Sequence, residues 1–144
     1  MERITVFTPT YNRRQSLTRV FESLQKQTYR DFNWIIVDDG SKDDTKSLID
    51  EFIVKADFKI IYIYQENAGK HSAINRGLKE TTSELFLIAD SDDSFKENAL
   101  EIFINTWESI PLEERSQYKG VIAKCYNAED GTPIGFYPQH MFDS

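Results

Sequence analysis

The sequence predicts an α/β fold, a mostly parallel sheet flanked by helices on both faces. Short, nearly continuous apolar runs alternate with stretches whose apolar residues recur at helical spacing. Polar or acidic turns follow three of those runs abruptly, as strand ends do in such sheets. The 144 residues, 40% of them hydrophobic, suit one domain with a real core.

Arg3 to Thr8 is rich in β-branched residues and meets Pro9, which suits a buried first strand. From Ser16, the residues Leu17, Val20, Phe21 and Leu24 mark one face of a helix. Trp34 to Val37 is a second strand, stopped by Asp38-Asp39-Gly40-Ser41. Leu48, Ile49, Phe52 and Ile53 form a second helical stripe, with Ser41 or Asp43 as its cap. Lys59 to Tyr64 reads as a third strand, Ala73 to Lys79 as a short helix and Leu85 to Ala89 as a fourth strand. Ser94 and Glu97 have capping-box spacing, ahead of the stripe Leu100, Phe103, Ile104 and Trp107. A fifth strand is expected near Val121 to Tyr126. A turn at Asp130-Gly131 and an antiparallel return over Ile134 to Tyr137 follow it.

Charge and composition exclude several functions. The formal net charge of -7 repels nucleic-acid backbones and disfavours a basic membrane-binding face. A phosphorylated ligand therefore needs a metal ion or a few placed cations. The single cysteine, Cys125, cannot form an internal disulfide and points to a reducing compartment. It is expected as a small buried strand residue. Met1 to Ile4 leads into a strand with no secretory h-region, and no run is long enough to span a bilayer. A cytoplasmic chain is expected, at the inner face of the membrane if the full-length protein is anchored there. The end at Asp143-Ser144, without a helix or stop signal, reads as a cut through a longer protein.

Three constellations carry chemistry. Asp90-Ser91-Asp92-Asp93 places three carboxylates in four residues, which repel unless a cation joins them. Alternate carboxylates on a tight turn can face one side and suit Mg²⁺ or Mn²⁺, which accept oxygen ligands, waters and phosphate oxygens. A solvated acidic turn is the plainer reading of such a motif in isolation. Asp38 and Asp39 end a strand, yet only one can cap the next helix. The other can accept an N–H from a base such as uracil. In Asn67 to Gly77, Gly69 loosens the backbone and Lys70 lies at a helix start, a serviceable phosphate site. A wet lysine and a helix C-cap at Gly77 explain that segment equally well. Tyr11 either stacks on a base or merely packs. His71 reads as an ordinary helix residue.

Together these segments resemble the family-two inverting glycosyltransferases. The resemblance rests on Thr8-Pro9-Thr10-Tyr11-Asn12-Arg13, Val37 to Ser41, Asn67 to Gly77 and Ile88 to Asp93, in that order. Gln27 to Phe32 is similar to the usual lead-in to the second strand. The resemblance implies a truncated Rossmann-like GT-A nucleotide-diphospho-sugar transferase fold. Residues 1–144 would be a single nucleotide-sugar-binding domain without the acceptor-binding region. Pro9 and Tyr11 would border the base, Asp39 would accept from it, and Asp38 would support the loop. Lys70 would lie near the base and diphosphate. Asp90 would contact the ribose or the metal's waters and is the second candidate ligand; Asp92 would bind Mn²⁺ or Mg²⁺. The donor would be a UDP-sugar and the acceptor a glycan or lipid-linked sugar. The general base is expected beyond Ser144, so the fragment is expected to be inactive.

Three rival readings remain. Asp90-Ser91-Asp92-Asp93-Ser94 superficially fits a haloacid-dehalogenase-type phosphatase, whose motif however follows the first strand. A phosphoacceptor receiver domain needs its acidic pair after the first strand, where this chain has Thr8-Pro9. A non-catalytic nucleotide-binding module fits the same residues.

Overall fold

A computed structural model describes residues 2–121, 123 and 125–134. Four strands, β1 (Ile4–Thr10), β2 (Phe32–Asp38), β3 (Lys59–Tyr64) and β4 (Leu85–Ile88), form one sheet in the order β3-β2-β1-β4. Every neighbouring pair in it is parallel. Helices α1 (Arg14–Gln25), α2 (Thr45–Lys55), α3 (Lys70–Glu80) and α4 (Ala99–Glu108) connect and follow the strands. The expected α/β fold is thus present, and helices cover both faces.

The two faces are covered unequally. Alternation along β1 and β2 sends Ile4, Val6, Phe32, Trp34 and Ile36 to one side. There they meet Leu17, Val20, Phe21 and Leu24 of α1, Ile49 and Phe52 of α2, and Leu100 and Ile104 of α4. Trp34 is fully buried, and its indole N–H donates to Thr8 Oγ1 at 2.9 Å, so the large ring leaves no orphan donor. On the other side Phe7, Ile35 and Val37 pack against Ala73 of α3, with Ile61, Ile63 and Phe86 half-buried around them.

Several local expectations are corrected. β1 runs through Pro9 to Thr10. Proline is tolerated because its missing N–H falls on the β4 side, where pairing ends once Ala89 N–H donates to Phe7 O at 2.7 Å. Gly77 is no C-cap, since α3 continues to Glu80. It is where the helix backbone lies closest to the Phe7 ring, and a Cβ there would meet two ring carbons at 2.4 Å. Neither Ser41 nor Asp43 caps α2, which begins after Asp44. Ser41 Oγ instead accepts the Asn12 N–H at 2.9 Å, and Asp43 binds Thr45 Oγ1 and the Arg14 N–H. The Ser94–Glu97 box does not form either. α4 starts only at Ala99, after Asn98.

The segment after α4 departs most from expectation. It holds a short 3₁₀ turn (Arg115–Gln117) and then β5 (Cys125–Tyr126) and β6 (Pro133–Ile134), a separate antiparallel pair. The turn at Asp130-Gly131 is as expected: Asp130 Oδ1 accepts from Thr132 N at 2.9 Å, and Gly131 has φ +71°. Cys125 is exposed, not buried, because this small hairpin has no layer packed over it among the described residues. The expected return as far as Tyr137 extends outside the described residues.

At the N-terminal ends of β1 and β4, polar contacts hold the last segments down. Arg3 pairs with Glu84 at 2.7 Å and with Glu108, and the Trp107 indole N–H donates to Glu84 at 2.6 Å. The Arg3 guanidinium, then the Trp107 indole, hold the Glu84 carboxyl below its usual range. Trp107 is therefore half-buried and hydrogen-bonded rather than a core residue.

Replacement of Gly77 by alanine places a methyl group inside the Phe7 ring contact. Urea denaturation of Gly77→Ala is expected to show a loss of about 1–3 kcal/mol, the usual cost of overpacking a tight core contact. Unchanged stability would mean that α3 stands off the sheet.

Candidate nucleotide-diphosphate site

Parallel strands deliver their C-terminal ends to one edge, and the three sequence constellations arrive there together. A cleft of about 410 Å³ opens at that edge. Pro9, Thr10, Tyr11 and Arg13 line it from the end of β1 and the loop to α1. Asp39 lines it from the end of β2, Lys70 and Ala73 from the start of α3, and Asp90, Ser91 and Asp92 from the turn after β4. Asp38 sits beneath this edge, at 1% exposure.

Asp38 and Asp39 do different work. Asp38 Oδ1 accepts the Ser41 N–H at 2.8 Å, and Oδ2 accepts the Tyr62 hydroxyl at 2.7 Å. Burial, then that bond to Asp38, raises the Tyr62 pKa, so the phenol stays a donor. Asp39 reaches across to the next loop. Its Oδ1 accepts from Gln65 Nε2 and from the Ala68 N–H, both at 2.8 Å, and its Oδ2 accepts the Gly69 N–H at 2.9 Å. Burial alone would raise the Asp39 pKa, but these three donors outweigh it and the carboxyl is held below its ordinary value. Asn67 Nδ2 adds a bond to the Asp39 carbonyl at 3.0 Å. Gly69, at φ +95°, then turns the chain into α3, a conformation that favours glycine.

The turn after β4 does not focus its three carboxylates on one point. Asp93 folds back, and its Oδ2 accepts the Asp90 N–H at 2.9 Å. Asp90 Oδ1 pairs with Lys70 Nζ at 2.8 Å, a bridge from the turn to the start of α3. Asp92 is exposed in the cleft and has no hydrogen-bonded partner among the described residues. Local hydrogen bonding and one lysine thus offset part of the repulsion expected of this motif.

Among the described residues no three His, Cys, Asp or Glu side chains converge as a self-sufficient metal cage. The donor chemistry still fits a hard divalent ion. Asp92 is a free carboxylate facing the cleft, and Mg²⁺ or Mn²⁺ commonly completes its shell with waters and ligand phosphates.

Sequence reasoning gave no role to Thr10, Arg13 or Ser91, although all three line the cleft. Arg13 was readable in principle, since it lies two residues beyond Tyr11 on the same loop. Thr10 is 3% exposed, and its Oγ1 has no partner among the described residues. Nothing in the sequence marks that orphan hydroxyl.

Comparison with known proteins adds the family. Residues 5–134 match the profile of Glycosyl transferase family 2. The chain is 34% identical over 128 residues to the teichoic acid poly(glycerol phosphate) polymerase of Staphylococcus epidermidis, covering 88% of this chain and 17% of that protein. It is 39% identical over 101 residues to glycosyltransferase GlyG of Streptococcus pneumoniae, covering 69% and 33%. Among solved structures, S. aureus TarS 1–349 in complex with UDP superposes with a TM-score of 0.67 at 29% identity, over 75% of this chain and 33% of that one. Mannosyltransferase PcManGT from Pyrobaculum calidifontis, in complex with GDP-Man and Mn²⁺, gives 0.69 at 26% identity, over 76% and 33%. The chain thus spans a third or less of each of these proteins. With its parallel sheet, its edge cleft and this match over residues 5–134, the chain belongs to glycosyl transferase family 2.

Proposed function

We propose that the chain is the donor-binding part of an inverting transferase that moves a sugar from a nucleoside diphosphate, a UDP-sugar, to an acceptor hydroxyl. The observation that carries the reading is the single cleft to which four separate chain segments contribute. It places two cations, Arg13 and Lys70, beside the carboxylates of Asp39, Asp90 and Asp92. A net charge of -7 gives no general attraction for a diphosphate, so local cations and a bound ion must supply it.

Pro9 and Tyr11 border the base in this reading. Asp39 accepts from the base with the capacity left on Oδ2, which has one donor against two on Oδ1. Asp38 keeps the loop in place through Ser41 and Tyr62. Lys70 and Arg13 face the diphosphate, and Asp90 takes the ribose or the ion's waters. Asp92, with Asp90 as the second candidate, would hold Mn²⁺ or Mg²⁺. Such an ion, when bound, supplies neutralisation of the charge that builds on the diphosphate leaving group.

Residues 1–144 are read as one donor-binding unit, with the acceptor region and general base elsewhere in the full protein. Asp130 is taken up by its turn and does not replace that base. The resemblance to an enzyme named for a teichoic acid supports an envelope glycan or lipid-linked acceptor, and a cytoplasmic location is proposed on the sequence reading alone. Among the described residues no helix is long and apolar enough to cross a membrane.

Isothermal titration with UDP and Mn²⁺ is expected to show weak, metal-dependent binding. Asp92→Ala should reduce it by more than about tenfold, the worth of one charge-assisted contact. Binding indifferent to the metal and to Asp92 would remove the metal assignment. The chain alone is expected to transfer no sugar from any UDP-sugar, and measurable transfer would overturn the placement of the base.

Asp39 yields a second test. Asp39→Asn turns its NH₂ group either toward the Gly69 N–H or toward the Ala68 N–H and Gln65 Nε2, and should destabilise the chain by about 1–3 kcal/mol in denaturant titration. Its folded pKa lies below the ordinary 3.8, so its stabilisation is complete above that value and fades as pH falls through the folded one. The protection factors of the Ala68 and Gly69 amides, which divide out the slower intrinsic exchange at low pH, should fall over that acid window in the parent chain. The variant should show fast exchange at neutral pH as well. Equal protection in both chains would show that Asp39 does not hold the loop.

A further inference from the structure

The outer side of α3 forms the wall of a second cleft, of about 460 Å³. Ser72, Asn75, Arg76 and Lys79 line it at helical positions i, i+3, i+4 and i+7, and Gln65 closes it from the loop after β3. This stripe lies away from Ala73 and Gly77, the two α3 residues buried against the sheet. No carboxylate lines it, although the chain carries 24 Asp and Glu against 17 Lys and Arg. Glu80 forms an exposed i,i+4 ion pair with Arg76, and at 3.7 Å from Arg76 Nε its carboxylate is too far for a hydrogen bond. The guanidinium keeps its donors for another acceptor. Lys79 makes no ion pair among the described residues. Gln65 is held by its Nε2, which donates to Asp39 at 2.8 Å and lies 3.4 Å from Ser72 Oγ.

We propose that this cleft is an anion subsite that takes a phosphate or phosphodiester group, separate from the donor cleft and divided from it by α3. Arg76 supplies a planar fork for two phosphate oxygens. Lys79 adds a point charge one turn along, and Asn75 and Ser72 add neutral donors. A carboxylate ligand would find the same donors but only two oxygens, whereas a phosphate group can use the cations and both neutral donors at once. The inference is independent of the donor-cleft reading, since it uses none of that cleft's ionic residues. Through Gln65 the subsite touches the Asp39 carboxylate, so its occupancy is expected to be felt at the loop that starts α3.

The test is a backbone amide NMR titration of the 144-residue chain with inorganic phosphate, with a soluble glycerol phosphate oligomer, and with vesicles of phosphatidylcholine and phosphatidylglycerol. Shifts are expected at Gln65, Ser72, Asn75, Arg76 and Lys79, strongest for whichever source presents the group in its natural form. The double variant Arg76→Gln/Lys79→Gln should bind about tenfold more weakly, as loss of two exposed charge contacts implies. Asn75→Asp, which adds a negative charge with almost no change of shape, should do the same. Asp92→Ala should leave these shifts intact, which separates failure here from failure of the donor-cleft reading. Shifts confined to Lys70 and the turn after β4, or affinities equal in parent and variants, would overturn the proposal.

Discussion

The Asp39 carboxylate is the fastening on which the cleft depends. It lies at the end of the most deeply buried strand and takes hydrogen bonds from Gln65, Ala68 and Gly69, all in the loop before α3. A loop of five residues between a strand and a helix would otherwise place Lys70 loosely. Each bond to a charged acceptor is stronger than its neutral counterpart, and burial at 6% exposure keeps water from competing. Asp38 performs the sideways half of the same task, joining the next turn through Ser41 and the neighbouring strand through Tyr62. Two adjacent aspartates are therefore both accounted for without a helix cap. One holds the edge of the sheet together, and the other positions the neighbouring loop.

The unequal covering of the sheet explains why α3 carries so much. Three helices share one face, and among the described residues α3 stands alone on the other. Its approach is as close as a helix can come, because Gly77 presents no side chain to Phe7. With Ala73 and Gly77 buried against the sheet, the polar stripe from Ser72 to Lys79 lies on the other side of the helix. At the opposite end of the strands, the Arg3–Glu84 pair and Trp107 hold α4 down. Rigidity below and a fastened loop above leave the turn after β4 as the part of the cleft with the least support.

The fold was legible because each of its signals is local and strong. Buried parallel strands read as unbroken apolar runs, and the stripes of α1, α2 and α4 follow directly from helical spacing. The helix starts were less legible. Ser41, Asp43 and Ser94 have the right chemistry for caps, but each helix begins later than its polar residue suggests, and for Ser41 and Asp43 the tertiary partners Asn12 and Arg14 take the oxygens. The alternative of a cap at Gly77 fails for a related reason. A glycine near a helix end signals a cap in one dimension, whereas its role here exists only through Phe7, 70 positions away in the chain. The hairpin after α4 was seen at its turn, whose Asp-Gly chemistry is local, and missed in its exposure, which depends on what packs above it. The meeting of Asp39, Asp92 and the loop of Pro9 and Tyr11 at one edge followed from the strand-end rule, whereas Lys70 was placed there by the family resemblance.

The turn after β4 shows what that rule leaves open. Proximity in sequence made Asp90, Asp92 and Asp93 look like one ligand set, but like charges separate when other partners are within reach. Asp93 finds a backbone N–H and Asp90 finds Lys70, and these contacts use atoms that a cation would otherwise need. The result is a site with one uncommitted carboxylate and one that a lysine already neutralises. On the proposed reading, Asp92 alone gives a divalent ion one protein ligand, and waters and ligand phosphates complete its shell. In the same reading, a diphosphate gives Lys70 a second anion to face and leaves the Asp90 carboxylate freer for the ion, so ion and phosphate each improve the site for the other. On the proposed reading, the coupling of metal to nucleotide is therefore set by the Lys70–Asp90 pair rather than by the number of aspartates in the motif.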